Sequence, residues 1–126
     1  MKTLLFVVMS VILSVNAYAN RNWVYVTTTN GGWVYFIDKN SMQKSGDSIT
    51  YWELINFGQR TVHGDLSAKI QHTINCRTRE TIMRYSMYYD DINSTGKLTH
   101  SGDVKDSWRP IPSDTVSWDK FQFICK

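Results

Sequence analysis

The side chains of this chain best equipped for chemistry are Cys76 and Cys125, the histidines His63, His72 and His100, the neighbouring carboxylates Asp90 and Asp91, and the cations Lys69, Arg77, Arg79 and Arg84. The histidines fall on two loops and one strand, without the close i, i+4 or Cys-x-x-Cys pairings that zinc sites use, so no metal site is expected. His72 stands between Ile70 and Ile74 and reads as a hydrogen-bonded core histidine rather than a ligand. Adjacent carboxylates in a polar turn point apart, so Asp90 and Asp91 read as solvated rather than as an acid/base pair. No Gly-x-Ser-x-Gly elbow occurs, and Asn30-Gly31-Gly32 joins two strand-like runs instead of leading from a strand into a helix as phosphate loops do. Asn93-Ser94-Thr95 matches a sugar-acceptor triplet and is given no role. With no catalytic constellation and no cofactor motif, the chain reads as a non-enzymatic protein that needs no cofactor.

What remains is binding chemistry. Lys69, Arg77 and Arg79 share the exposed parity of one strand and its extension, and Arg84 follows on the next strand. Together they form a candidate basic patch, with an ordinary solvated sheet face as the alternative. The whole chain carries a net charge of only +3, far short of the basic excess that phosphate-backbone binding relies on, so nucleic acid is not an expected partner.

The elements that must carry these residues are mostly strands. Trp23–Thr29 and Trp33–Asp38 are β-rich runs joined by Asn30-Gly31-Gly32, which reads as a hairpin. The polar stretch Asp38–Asp47 connects, with a short helical turn near Asn40–Gln43. Ser48–Phe57 is a third strand; Trp52 and Leu54 oppose Tyr51, Glu53 and Ile55, so both faces carry apolar groups and the strand is central. In the fourth, Ala68, Ile70, His72, Ile74 and Cys76 alternate with Lys69, Gln71, Thr73 and Asn75, which gives one buried and one wet face. Thr81–Tyr89 alternates Met83, Tyr85, Met87 and Tyr89 against Ile82, Arg84, Ser86 and Tyr88, and pairs with the fourth. A long polar connection over Asp90–Gly102 leaves room for an edge strand around Lys97–His100.

Trp108-Arg109-Pro110-Ile111-Pro112 is extended, because each proline pushes its predecessor out of the helical region. A helix follows, with Ser113 as N-cap, Asp114 at the positive end of the dipole, and a stripe of Trp118, Phe121, Ile124 and Cys125. Cys125 on that stripe and Cys76 on the apolar face of the fourth strand aim at one interior, which predicts a disulfide; two free buried thiols are the alternative. The expected fold class is therefore α+β, an antiparallel sheet of about five to six strands with a disulfide-held C-terminal α-helix packed on one face.

The apolar run Leu4–Val15 follows Lys2 and ends in Ala17-Tyr18-Ala19, the pattern of a secretory signal peptide over residues 1–19. At about a dozen residues it is too short for a membrane span, which needs about 20. A retained anchor helix is the alternative. Cleavage leaves residues 20–126 as a single small domain with no membrane span, exported to the periplasm, the cell surface or the medium. An oxidising compartment is where a cysteine pair persists as a bridge.

In sequence order, Tyr35-Phe36-Ile37-Asp38, Ser41-Met42, Trp52, Asn75-Cys76, Tyr89-Asp90, Gly96, Trp108-Arg109-Pro110-Ile111-Pro112 and Ile124-Cys125 resemble the surface-adhesin protein E family of Gram-negative bacteria. The resemblance spans nearly the whole mature chain. It implies an antiparallel sheet with a disulfide-tied helix, Trp52, Trp108 and Ile124 as framework, and a non-enzymatic surface protein that binds host extracellular-matrix or plasma proteins. It places no binding residue. The family's namesake is a lipoprotein, whereas no cysteine lies at the end of the apolar run of this chain. The expected function is an exported protein-binding module of the adhesin type, with pairing into a homodimer left open. The alternative is a periplasmic structural or accessory protein of the same fold.

Overall fold

Alternation of apolar and polar side chains decides most of this fold, and turn chemistry sets where each strand ends. The computed structural model describes residues 21–126; the expected signal peptide over residues 1–19 lies outside the described residues. Strands β1 (Trp23–Thr28) and β2 (Val34–Asp38) form the expected hairpin. Its turn is closed by the Thr29 N–H donating to the Trp33 carbonyl at 2.8 Å, with Gly32 at φ +89° where an L side chain would be strained. A 3-10 turn follows at Lys39–Ser41, slightly earlier than the sequence suggested, because the Asp38 carboxylate accepts from the Asn40 N–H at 3.1 Å and from the Asn22 N–H at 2.9 Å.

The remaining strands are β3 (Gln43–Ser45), β4 (Ser48–Asn56), β5 (Ser67–Asn75), β6 (Glu80–Tyr89), β7 (Leu98–Asp103) and β8 (Arg109–Pro110), followed by helix α1 (Val116–Ile124). All pairings are antiparallel. The path β1-β2-β4-β5-β6-β7 accounts for the five to six strands expected, and two short segments, β3 on β4 and β8 on β6, bring the sheet to eight. The sheet is not closed.

Two sequence expectations are corrected here. In β6, Gln71 pairs with Tyr85 but His72 pairs with Met83, so Arg84 has no opposite residue and the strand bulges. The bulge reverses parity. Met83 before it and Ser86 and Tyr88 after it share one face, instead of the uniform alternation of Met83, Tyr85, Met87 and Tyr89. The second concerns α1, whose N-cap is Thr115 rather than Ser113. The Thr115 hydroxyl accepts from the Trp118 N–H at 3.1 Å and donates to the Pro112 carbonyl at 2.8 Å, while Asp114 takes a left-handed conformation at φ +63°.

The helix lies over one end of one sheet face. There Ile37, Tyr51, Ile74, Ile111 and Ile124 make a buried cluster, with Trp118, Phe121 and Cys125 packed against it. Cys76 and Cys125 are joined as a disulfide with Cα atoms 5.6 Å apart. Nine helical residues span only about 14 Å, too little to cover the whole face. Beyond the helix the same face carries a second cluster of Tyr35, Ile55, Phe57, Ala68 and Ile70, and this part stays open as a groove.

Candidate functional site

The groove has a volume of about 1120 Å³, floored by β4, β5 and β6 and bounded by α1 and by the β4–β5 loop. Odd positions of β4 and even positions of β5 point into it, which is why Glu53, Ile55, Ile70 and His72 meet there. At the loop end its wall is aromatic. Trp33 meets Phe57 edge-on at 4.7 Å between ring centroids, Phe57 stacks on Tyr88 at 6.5 Å, and His100 tilts against Tyr88 at 6.0 Å. His63 and Asp65 lie on the rim there, Asp65 accepting a hydrogen bond from the Thr99 hydroxyl.

The helix end of the groove is charged. Glu53, 1% exposed, is bonded by the Lys120 ammonium at 2.8 Å through Oε1 and by His72 Nε2 at 2.6 Å through Oε2. Burial by itself would raise the Glu53 pKa, but the charges and hydrogen bonds of Lys120 and His72 prevail and lower it to about 2. The carboxylate is thus ionised and can only accept, so Nε2 carries the proton of the neutral imidazole. Burial, and then the Lys120 charge, push the His72 pKa down; Glu53 only partly opposes them. His72 also stacks on Tyr51 at 5.5 Å, and burial with the nearby Glu53 charge raises the Tyr51 phenol well above its ordinary range. Tyr35, under the Lys120 ammonium at 5.8 Å, is pushed up to about 12 by burial and by Glu53.

Chemically this is a pinned ion cluster. A carboxylate held near 2 is a poor base at neutral pH, and among the described residues no hydroxyl or thiol is bonded to His72. Both cysteines are in the disulfide, and no group of three or more metal-ligating side chains lies together among the described residues.

The sequence reading placed His72 correctly as a hydrogen-bonded, buried histidine but did not single out its partners. Their signal is visible in hindsight. Glu53 shares parity with the apolar Tyr51 and Ile55, and Lys120 stands four residues after Val116 and four before Ile124, on the helix face turned to the sheet.

The four patch residues are distributed differently from the sequence picture. Arg77 and Arg79 lie together on the exposed β5–β6 turn, Arg77 bonded to Asp47 at 2.9 Å and Arg79 set 5.7 Å over the Trp118 ring. Arg84, at the bulge, donates to the Thr73 hydroxyl at 3.2 Å and covers Trp108 at 5.6 Å. Lys69 sits eight residues back along β5 from Arg77, about 26 Å away at strand rise, with its ammonium 5.9 Å over Tyr89. The turn and bulge arginines can act together, but Lys69 stands apart. Of the framework residues, Ile124 is buried and Trp52 meets Tyr85 edge-on at 6.2 Å, whereas Trp108 is 41% exposed beneath Arg84.

The surface-adhesin protein E profile matches residues 23–126. Crystal form II of Haemophilus influenzae protein E superposes with a TM-score of 0.68 at 15% identity, over 82% of this chain and 86% of that one. The selenomethionine form of the same protein gives a TM-score of 0.66 at 16% identity, over 80% and 84% of the two chains. Protein E from non-typeable Haemophilus influenzae gives a TM-score of 0.63 at 17% identity, over 80% of this chain and 74% of that one. At these identities the likeness is one of fold. No protein of curated function matches the sequence. The profile covers every strand, the helix and both cysteines of the described domain, and the chain belongs to the surface-adhesin protein E family.

Proposed function

We propose that this chain is an exported, non-enzymatic binding module whose ligands are proteins, host extracellular-matrix or plasma proteins among them. Family membership over residues 23–126 carries this reading, because a surface-adhesin family is one of binding proteins and not of enzymes. The apolar run Leu4–Val15 with Ala17-Tyr18-Ala19 supports export with cleavage after Ala19, and the disulfide suits an oxidising compartment. The exposed arginines Arg77, Arg79 and Arg84 are the proposed electrostatic contribution, with Lys69 as a separate, more distant cation.

The test is binding of the purified mature protein to immobilised laminin or vitronectin. Saturable binding in the micromolar range or tighter is expected. It should weaken with added salt, since exposed charges are screened over about 8 Å at physiological ionic strength. An Arg77→Glu, Arg79→Glu variant should lose on-rate while keeping its fold. Binding that ignores both salt and the double substitution removes the arginines from the reading and leaves the adhesin role. Failure to bind any matrix or plasma protein, by protein confirmed folded and disulfide-bonded, overturns that role in favour of a periplasmic accessory one.

A further inference from the structure

Three buried ionisable groups in so small a domain need a reason. Removing charges from water is expensive, and a buried ion pair seldom stabilises more than a packed apolar pair of the same shape. Here the three groups lie at the end of an open groove, not in the middle of a core. Both Glu53 oxygens are taken, whereas Lys120 makes one hydrogen bond and keeps two donors, and His72 Nδ1 has no hydrogen bond within the described residues. The unspent capacity at this end is therefore two donors of the Lys120 ammonium and the Nδ1 of His72, an acceptor that becomes a donor once the imidazole is protonated. Arg109, paired with Asp106, adds a second cationic side chain to the lining.

The opposite end is apolar on its floor. From Glu53 to Phe57 the groove follows four residues of β4, about 14 Å at strand rise, and Trp33, Ile55, Phe57, Ile70 and Tyr88 line that run. A site charged at one end and aromatic at the other matches a ligand with the same polarity. We infer that the groove binds a small anionic amphiphile, an apolar chain carrying a carboxylate or phosphate head, with the head at Lys120 and His72 and the chain along Phe57 and Tyr88. This reaches beyond the adhesin role and does not depend on it.

The charge balance adds a consequence. The groups facing His72 are Glu53 and Tyr51 from β4, Lys120 from α1, and Asp106 from the connection after β7, with uncharged Met83 beside it on β6. Asp106 is already engaged by the Met83 N–H and by Arg109, each at 3.0 Å. With the groove empty, Glu53 and Lys120 cancel and His72 stays neutral. Burial is the larger cause that holds His72 neutral and the Lys120 charge the second; an anionic head beside Lys120 offsets the second and so favours proton uptake by His72. Binding should then tighten as pH falls.

The experiment is calorimetric titration of the mature, disulfide-bonded protein at pH 8 and pH 6, below micelle formation. The probes are decanoate, decyl phosphate and decyltrimethylammonium, which share one chain. At least one anion should bind about tenfold or more tighter than the cation. Its affinity should rise at pH 6, with net proton uptake read from the buffer dependence of the heat. Decanoate against decyl phosphate distinguishes the two heads. His72→Gln, which keeps a donor for Glu53 but cannot charge, should lose the gain in affinity between pH 8 and pH 6. Because Lys120→Met alone strands a buried carboxylate, the companion variant is Glu53→Gln with Lys120→Met, which should bind anion and cation about equally. The inference is overturned if the folded protein binds no anion saturably, if the cation binds as well as both anions, or if His72→Gln keeps the full pH gain.

Discussion

Lys120→Met is the substitution to which this structure should respond most sharply. The Lys120 and Glu53 side chains are 8% and 1% exposed and lie 2.8 Å apart, so removing the ammonium leaves a carboxylate that water cannot reach and only His72 can neutralise. Breaking a buried pair from one side costs about 3 to 5 kcal/mol. A second route gives a similar size. Holding Glu53 at about 2 instead of 4.5 corresponds to roughly 3 kcal/mol of preference for its charged form, shared between Lys120 and His72. The deficit also carries a pH signature. Without Lys120 the burial of Glu53 counts for more, its pKa rises, and the protonated form becomes the tolerable one. The cost of Lys120→Met should therefore be largest near pH 7 and shrink towards pH 4. Urea unfolding with the disulfide intact, followed by far-ultraviolet circular dichroism, measures it for the wild type, Lys120→Met, and Glu53→Gln with Lys120→Met. The double variant retains an acceptor for His72 without a charge and should recover at least half of the loss. A single-variant deficit below about 1 kcal/mol, or a double variant no more stable than the single, would refute the buried-pair reasoning.

Three further outcomes are expected. Replacing Cys76 by Ala opens a bridge of sequence separation 49 and should cost about 4 kcal/mol on a chain-entropy account, within a usual range of about 2 to 5; a shift under about 1 kcal/mol in denaturant unfolding would contradict it. Folding lowers the pKa of both His72 and Glu53, so the unfolded chain binds more protons. Stability should be complete above the ordinary histidine value of 6.5, fall as pH drops through the depressed His72 titration, and fall again between 4.5 and about 2; midpoints rising from pH 7 to 5 would contradict this. Gly96 sits at φ +76° with Asp90 Oδ1 and Asp91 Cβ where its own Cβ would be, so Gly96→Ala should cost about 1 to 3 kcal/mol, and an unchanged melting temperature would show that this loop yields freely.

The elements legible in the sequence were those whose periodicity was long and uninterrupted. The alternation from Ala68 to Cys76 and the helical stripe of Trp118, Phe121 and Ile124 pointed at a shared interior, and the Cys76–Cys125 bridge closes there. Where a local event breaks periodicity, the pattern misleads. A single extra residue at Arg84 moves Ser86 and Tyr88 onto the groove face, and a three-residue strand such as Gln43–Ser45, exposed throughout, leaves no apolar mark to read. Proline and turn chemistry gave the extended stretch before α1 but not its cap, since Thr115 is chosen by its bond back to Pro112. The ion cluster was hidden for another reason. Glu53 and Lys120 are 67 residues apart, and a charged residue at a core position looks like an exposed one until the opposite charge is brought beside it.

The central proposal is that this family member is an exported protein-binding module of the adhesin type rather than a periplasmic accessory protein, and exposure at the cell surface separates the two. It is tested most directly in cells that make the protein natively, with a membrane-impermeant amine label and an immunoblot for the labelled chain. Labelling of the mature protein on intact cells, at a level that permeabilising the outer membrane does not raise severalfold, is the predicted result. Labelling that appears only after permeabilisation would contradict the surface role and favour a periplasmic accessory protein.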